Sequence, residues 1–291
     1  MLEELIDPKM DFVFKYIFGQ DKESFMSFAN SVLKHPESKK IKDINFLNNE
    51  INKDTLNDKE SRLDVHAILA DGSHITIEMQ MQNTGEYIKR SLYYWAKLFE
   101  GQLQEGDPYK NLNPAICINV LNFSLFKEKL SYHSIIEAVV SETKIRFSND
   151  LEIHFIELPK APKKYDNTLE KWMHFLKNPS QKEVFSMGDK TISNAFNTLE
   201  YLSQDPEMRA KYEARRKYEH DYVTAILTAT EEGIRQGIET GVKKGKDEGR
   251  EEGKKSTILE IAHTMRTLGL PLEVIRKATG LSYEEIENLI F

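Results

Sequence analysis

The stretch RLDVHAILADGSHITIEMQ, residues 62–80, decides how this chain folds. Apolar and polar residues alternate on both sides of Asp71-Gly72, and Asp-Gly is a strong signal for a tight turn between antiparallel strands. The stretch therefore predicts a β-hairpin with one apolar face and one polar face.

The length of the loop decides which side chains of this hairpin share a face. With a two-residue Asp71-Gly72 turn, Asp64 and Glu78 would lie on opposite faces. A three-residue loop that begins at Ala70, with Gly72 in a left-handed conformation, places Asp64 directly opposite Glu78. We predict this second register because a slip by one residue would bury charges. Its apolar face carries Leu63, Val65, Ala67, Ile75, Ile77 and Met79, and its polar face carries Arg62, Asp64, His66, Thr76, Glu78 and Gln80.

Two carboxylates on opposed strand positions have Cβ atoms about 4.5–5.5 Å apart and destabilise the sheet unless a cation lies nearby. A divalent ion such as Mg²⁺ binds one or two carboxylates together with water and phosphate oxygens. Such an ion polarises a phosphoryl oxygen and lowers the pKa of bound water, which is the chemistry of phosphodiester hydrolysis. The alternative is that Arg62 and solvent neutralise Asp64 and Glu78 on an ordinary exposed sheet face.

The elements around the hairpin predict an α/β fold with an αβββαβ core and a mixed sheet. Apolar residues recur at helical intervals from Asp11 to Leu33, with a break near Gly19. The other predicted elements are strands at 41–47, 115–123 and 151–158 and a helix at 86–103.

The chain after residue 165 is helical almost throughout, which predicts an all-helical C-terminal region. Helices are expected at 167–177, 190–203 and 206–232, and two short ones at 271–278 and 283–290, where Ser282 and Glu285 form a capping box. The predicted division is a domain at 1–165, a helical region at 166–230, a charged glycine-rich helix at 231–256 and a helical hairpin at 257–291.

Glycine occupies every fourth position from Gly233 to Gly253. Six glycines cost an isolated helix roughly 5–6 kcal/mol relative to alanine, so some other interaction should offset that cost. At this spacing the glycines form a slowly drifting ridge along which another backbone can approach. We favour a helix-pairing surface that makes the chain a homo-oligomer, most simply a dimer; the alternative is a polar spacer helix without a partner.

Composition excludes several classes of protein. The chain has 291 residues, is 40% hydrophobic and carries a net charge of -7, which argues against a broad basic surface for nucleic acid. Its single cysteine, Cys117, excludes an internal disulfide and a cysteine-based zinc cluster. No run approaches the roughly 20 apolar residues of a membrane-spanning helix. We expect a cytoplasmic protein without a membrane partner.

The motifs resemble a known family. An acid on one strand followed by Glu-x-Lys or a variant on the next is the signature of PD-(D/E)XK nucleases, with a restriction-endonuclease-like fold, and Asp64 with Glu78-Met79-Gln80 fill those positions. Together with DPKMDFVFKYIFG, YIKRSLYYWAKLF and the Glu/Gly-rich tail, they resemble the Rpn family of recombination-promoting nucleases, or PD-(D/E)XK family transposases. The resemblance runs from Asp7 to about Phe123 and resumes over the tail.

This resemblance implies a DNA endonuclease that uses Mg²⁺ or Mn²⁺. It implies Asp64 and Glu78 as metal ligands, Gln80 in the place of the catalytic lysine, and Asp11 as an additional acid from the first helix. Candidate DNA contacts are Lys15, Arg62 and Gln82.

Gln80 is a departure from the family pattern. Lysine is a cation that helps to activate the attacking water, whereas neutral glutamine can only hydrogen-bond it. The alternative function is therefore a nuclease-like fold with weak or no catalysis that acts as a DNA-associating or protein-interaction module.

Overall fold

Six strands and nine helices can be assigned in the computed structural model, which describes residues 4–47, 65–83, 85–126 and 131–289. Asp64 and Arg62 lie outside the described residues. In chain order the elements are α1 (Asp11–Gln20), α2 (Lys22–Leu33), β1 (Ile44–Phe46), β2 (Val65–Leu69), β3 (His74–Gln80), α3 (Tyr87–Glu100), β4 (Ala115–Leu121), β5 (His133–Glu137), β6 (Leu151–Glu157), α4 (Thr168–Lys177), α5 (Gln181–Ser186), α6 (Lys190–Gln204), α7 (Pro206–Thr267), α8 (Leu272–Thr279) and α9 (Tyr283–Glu287).

The strands form one mixed sheet in the order β1-β2-β3-β4-β6-β5. Strands β3, β4 and β6 are parallel, while β1, β2 and β5 join them antiparallel. The predicted αβββαβ core and mixed sheet are confirmed. Strand β5, at one edge, and the short helix α5 were not predicted.

The hairpin of β2 and β3 has the predicted register in its described residues. Val65 lies opposite Ile77, and the three residues between Leu69 and Ser73 form the loop. The Leu69 N–H donates to the Ser73 carbonyl at 2.9 Å. Gly72 has a φ of 88°, and a Cβ there would lie 2.9 Å from Asn113 Oδ1, so glycine is required for both backbone and space.

Helices cover both faces of the sheet. Strand residues of the apolar hairpin face pack with α1, α2, α4, α5 and α6 in the larger core. The other face is covered by α3, whose Tyr87 and Leu98 join β4 and β6 residues in a second cluster. The polar hairpin face is therefore not an ordinary exposed surface, since Thr76 and Glu78 on it are buried.

The helices after residue 165 belong to the same compact unit as the sheet, which extends to Glu213. Trp172 of α4 is fully buried, with its ring centroid 5.2 Å from that of Phe18. Its Nε1 donates to Ser27 Oγ at 3.1 Å. The sequence analysis predicts a domain boundary near residue 165. The compact unit continues beyond this position because α4 and α6 pack against α1 and α2.

The second unit begins at Ala214, within the 62-residue helix α7. The glycine-rich run lies inside this one continuous helix. Near the C-terminus, Ala262, Ile275 and Ile286 form a small core, and the predicted capping box of Ser282 and Glu285 is present. In the part of the chain that the structure describes, none of the helices has the length and apolar character needed to cross a membrane.

Candidate functional site

The candidate site is centred on Glu78, the fifth residue of β3. Its side chain points to the face covered by α3 and is 3% exposed. In the parallel pairing of β3 with β4, Glu78 lies beside Asn119, which is also buried. A carboxylate at this depth needs polar or charged partners, because burial of an unpaired charge is costly.

Asn119 connects the site to α3 by side-chain hydrogen bonds. The hydroxyl of Tyr87, the first residue of α3, donates to Asn119 Oδ1 at 2.8 Å. The Asn119 Nδ2 donates to the His154 carbonyl on β6 at 3.1 Å. Neither Asn119 nor Tyr87 is among the site residues predicted from the sequence. The signal that could have indicated Asn119 is a polar asparagine within the otherwise apolar strand AICINVL.

Cys117 lies on the same face of β4, two residues before Asn119. Burial is the main cause that raises the pKa of its thiol to about 12; contact with Thr76 opposes this shift, and the nearby Glu78 carboxylate adds to it. The thiol is therefore protonated, as expected for a buried structural cysteine, and not a nucleophile.

Gln80 and Gln82 lie where β3 ends. Gln80 is the last strand residue, half-buried on the same face as Glu78, and its carbonyl accepts a 2.9 Å hydrogen bond from the Asn122 N–H. Gln82 is exposed beyond the strand. Gln80 is thus placed to extend the polar side of the site toward solvent.

Asp11 and Lys15 lie on α1, which packs on the opposite face of the sheet from the Glu78 side chain. Asp11 is exposed, and its Oδ1 accepts a hydrogen bond from the Phe12 N–H at 2.9 Å. Lys15 is half-buried and lines a cavity of about 270 Å³, whose other walls are Phe12, Tyr16, Gln20, Met208 and Lys211. Their roles in catalysis and DNA contact remain predictions.

His66 lies on the polar hairpin face opposite Thr76. Its Nε2 is 3.2 Å from Nδ1 of His74. Partial burial, together with the nearby His74, lowers the pKa of His66 to about 4. A neutral histidine pair at neutral pH is the result.

The donor types at Glu78 suit a hard divalent cation. The Glu78 carboxylate and the Gln80 amide oxygen are the kind of oxygen ligands that Mg²⁺ prefers. Within the described ranges, no group of three His, Cys, Asp or Glu side chains could hold a metal ion. Mg²⁺ can be held by as few as one or two carboxylates, so Glu78 fits such a site, and the pairing with Asp64 stays a prediction.

Comparison with known proteins identifies the family. No match was found among curated proteins or among solved structures. A family model described as PD-(D/E)XK nuclease family transposase matches residues 8–229. The match includes residues 124–225, which contribute little to the resemblance, and ends before Gly233, the first glycine of the ridge. Because it covers well over half of the chain and contains the hairpin and Glu78, the protein belongs to the PD-(D/E)XK nuclease family transposases.

Proposed function

We propose that this protein is a divalent-metal-dependent DNA endonuclease of the recombination-promoting type, which hydrolyses phosphodiester bonds. The observation that supports the proposal is the hairpin register: Val65 pairs with Ile77, which is the register from which the sequence analysis predicts Asp64 opposite Glu78. Family membership supports nuclease chemistry, and the buried position of Glu78 supports a specific role for that acid.

Mg²⁺ or Mn²⁺ would be held by Glu78 and Asp64 and would supply Lewis-acid stabilisation of the phosphate and a water of lowered pKa. Glu78 would supply one carboxylate ligand to the ion. The Gln80 amide hydrogen-bonds and orients the attacking water. We propose that Arg62 and Gln82 contact the DNA. Asp11 and Lys15 lie across the sheet from the Glu78 side chain, so they are assigned no step at this site and their roles remain predictions.

The test is nicking of supercoiled plasmid with Mg²⁺ or Mn²⁺ by the wild type and by Asp64→Asn and Glu78→Gln. Each variant keeps the side-chain shape and removes one charge. Matched controls are Asp71→Asn in the hairpin loop and Glu105→Gln in an exposed loop. We expect both site variants to nick the plasmid at least 100-fold more slowly than the wild type, and both controls to nick it at the wild-type rate. Absent cleavage, or equal cleavage by all variants, would exclude the endonuclease.

One observation favours the second function, a DNA-associating or protein-interaction module with weak or no catalysis. Gln80 cannot supply the positive charge that lysine supplies in this position. If the wild type binds DNA without nicking it and Gln80→Lys gains metal-dependent nicking, the module is the better description. If Gln80→Ala lowers the wild-type rate about tenfold, glutamine already serves the reaction, since a neutral hydrogen bond contributes about 0.5–1.5 kcal/mol.

We further propose that α7 pairs with α7 of a second copy through the glycine ridge. A Cβ added at any of the six glycines of the ridge would have no atom within 4 Å apart from the backbone of its own helix, so the ridge is open. Three apolar residues each follow a glycine of the ridge and are more than half exposed: Ile234, Ile238 and Val242. A second helix would cover this apolar strip together with the ridge.

A further inference from the structure

The outer side of α3 carries two different flanks. The helix buries Tyr87, Ser91 and Leu98 against the sheet. At 100° per residue, Ile88 and Leu92 lie on one side of the exposed surface. On the other side lie the exposed Lys89, Arg90, Tyr93 and Lys97 and the half-buried Tyr94, which we call the basic–tyrosine flank.

The cations of the basic–tyrosine flank are held against its aromatic rings. Arg90 Nε donates to the Tyr94 hydroxyl at 2.9 Å, and the guanidinium lies 5.1 Å from the Tyr94 ring centroid. Lys97 Nζ lies 5.5 Å from the Tyr93 ring centroid. Such cation–π contacts restrict the side chains while leaving donors exposed to a ligand. The flank is therefore partly ordered before any ligand arrives.

Cations outnumber acids on this side of α3, although the chain as a whole is rich in acids. The side carries three cations, Lys89, Arg90 and Lys97, and two acids, Glu86 just before the helix and Glu100 at its end, whereas the whole chain has 47 acids against 40 bases. The flank therefore has a small positive balance beside the candidate site. This balance favours a polyanion as the partner.

Two hydrogen bonds fix the direction of α3 relative to Glu78. Tyr87 contacts Asn119, which lies beside Glu78, while Trp95 Nε1 donates to the Ala115 carbonyl at the start of β4 at 2.9 Å. The helix therefore begins next to the candidate site and runs back along the sheet. Lys89 and Arg90 lie within the first turn of α3, at the end of the helix that is next to the candidate site. From Lys89 to Lys97 the rise is about 12 Å, which corresponds to the axial rise of about three to four phosphates on one strand of a DNA duplex.

We propose that the basic–tyrosine flank of α3 binds the sugar–phosphate backbone of DNA beside the phosphate that is cut. This inference rests on the proposed function because it takes Glu78 as part of the cleavage site. Lys89, Arg90 and Lys97 neutralise phosphates, and the Tyr93 and Tyr94 hydroxyls donate hydrogen bonds to phosphate oxygens. Contacts of this kind position DNA without reading its sequence.

The test measures DNA affinity without metal, so that binding is observed separately from cleavage. A fluorescein-labelled duplex is titrated with full-length protein in EDTA, and fluorescence anisotropy is followed over a series of salt concentrations. The test variant is Lys89→Gln, Arg90→Gln and Lys97→Gln together. The control variant changes Lys39, Lys40 and Lys42 to Gln, which removes the same charge from a cleft of about 810 Å³ at the end of the sheet where β3 and β4 begin.

We expect the slope of log K against log salt to fall by about 2–3 in the test variant, because each lost phosphate contact contributes about 0.9. The control should keep the wild-type slope, and circular dichroism should show both variants folded. An unchanged slope in the test variant, an equal fall in both variants, or a wild type that does not bind DNA would overturn the proposal. A wild type that binds through α3 but does not nick with Mg²⁺ would contradict only the endonuclease.

Discussion

Glu78 on β3 and Asn119 on β4 lie side by side in the parallel part of the sheet, and both are buried beneath the start of α3. The Tyr87 hydroxyl of α3 donates a hydrogen bond to Asn119 Oδ1, while the Asn119 Nδ2 donates to the His154 carbonyl on β6. One buried amide thus connects three elements around the candidate acid. The position of α3 over the site depends on this connection.

Loss of the Tyr87 hydroxyl should weaken both the fold and the site. In Tyr87→Phe, the buried Asn119 Oδ1 loses its donor, and an unsatisfied buried polar group costs about 1–3 kcal/mol. We expect a fall of that size in the free energy of unfolding, measured by urea denaturation. The control is Tyr109→Phe, because Tyr109 is 85% exposed and should be indifferent to the change. Equal stability of the two variants would show that the Tyr87 hydroxyl does not support the site.

Truncation should separate the two units. A chain that ends at Glu213 keeps the larger core, whose described members extend no further than Tyr212. We expect it to unfold cooperatively in urea, as followed by circular dichroism.

A chain that ends at residue 165 loses Trp172 and the other buried residues of α4–α6, and loss of a single large core side chain already costs about 3–5 kcal/mol. It should fail to fold. A cooperative transition in the shorter chain would instead support a domain boundary near 165.

Low pH should destabilise the protein through two half-buried histidines, His66 and His133. The pKa of each is lowered to about 4, mainly by partial burial and in addition by the neighbouring His74 and His154, respectively. Unfolded histidine binds a proton below about pH 6.5, so the unfolded state gains protons first, and stability is lost as the pH falls from about 6.5 toward 4.

The pH effect can be assigned to one residue by substitution. Between pH 7 and pH 5, His66→Asn should lose less stability than the wild type, by of order 1 kcal/mol. The readout is the urea midpoint at the two pH values. His220→Asn is the control, since His220 is exposed on α7. A pH dependence that is the same in all three proteins would exclude His66 as a contributor.

The local parts of the fold could be predicted because single residues determine them. Gly72 permits the left-handed loop conformation, and this loop sets the register of the hairpin and hence the face of Glu78. The capping box of Ser282 and Glu285 is likewise a short-range pattern. Such features depend on a few neighbouring residues, so the sequence contains the information directly.

The remaining parts depend on contacts between distant residues. Strand β5 is an edge strand whose Ile135 and Ile136 are exposed, so it lacks the alternation that marks a half-buried strand. The burial of Glu78 depends on α3 covering the polar hairpin face. The extent of the first unit depends on the packing of Trp172 against Phe18, which are 154 positions apart in the sequence. No local pattern reports these contacts.

The glycine ridge should be required for pairing of α7. Gly237, Gly241 and Gly245 replaced together by Ala should strengthen the isolated helix by about 2–3 kcal/mol, because alanine is the better helix former. If a second backbone lies along the ridge, the added methyl groups should nevertheless weaken pairing and raise the dissociation constant at least tenfold, as measured by sedimentation equilibrium. The control carries Ala at Gln236, Thr240 and Lys244, each one position before a glycine. A monomeric wild type, or equal association of both variants, would show that the ridge is not the interface.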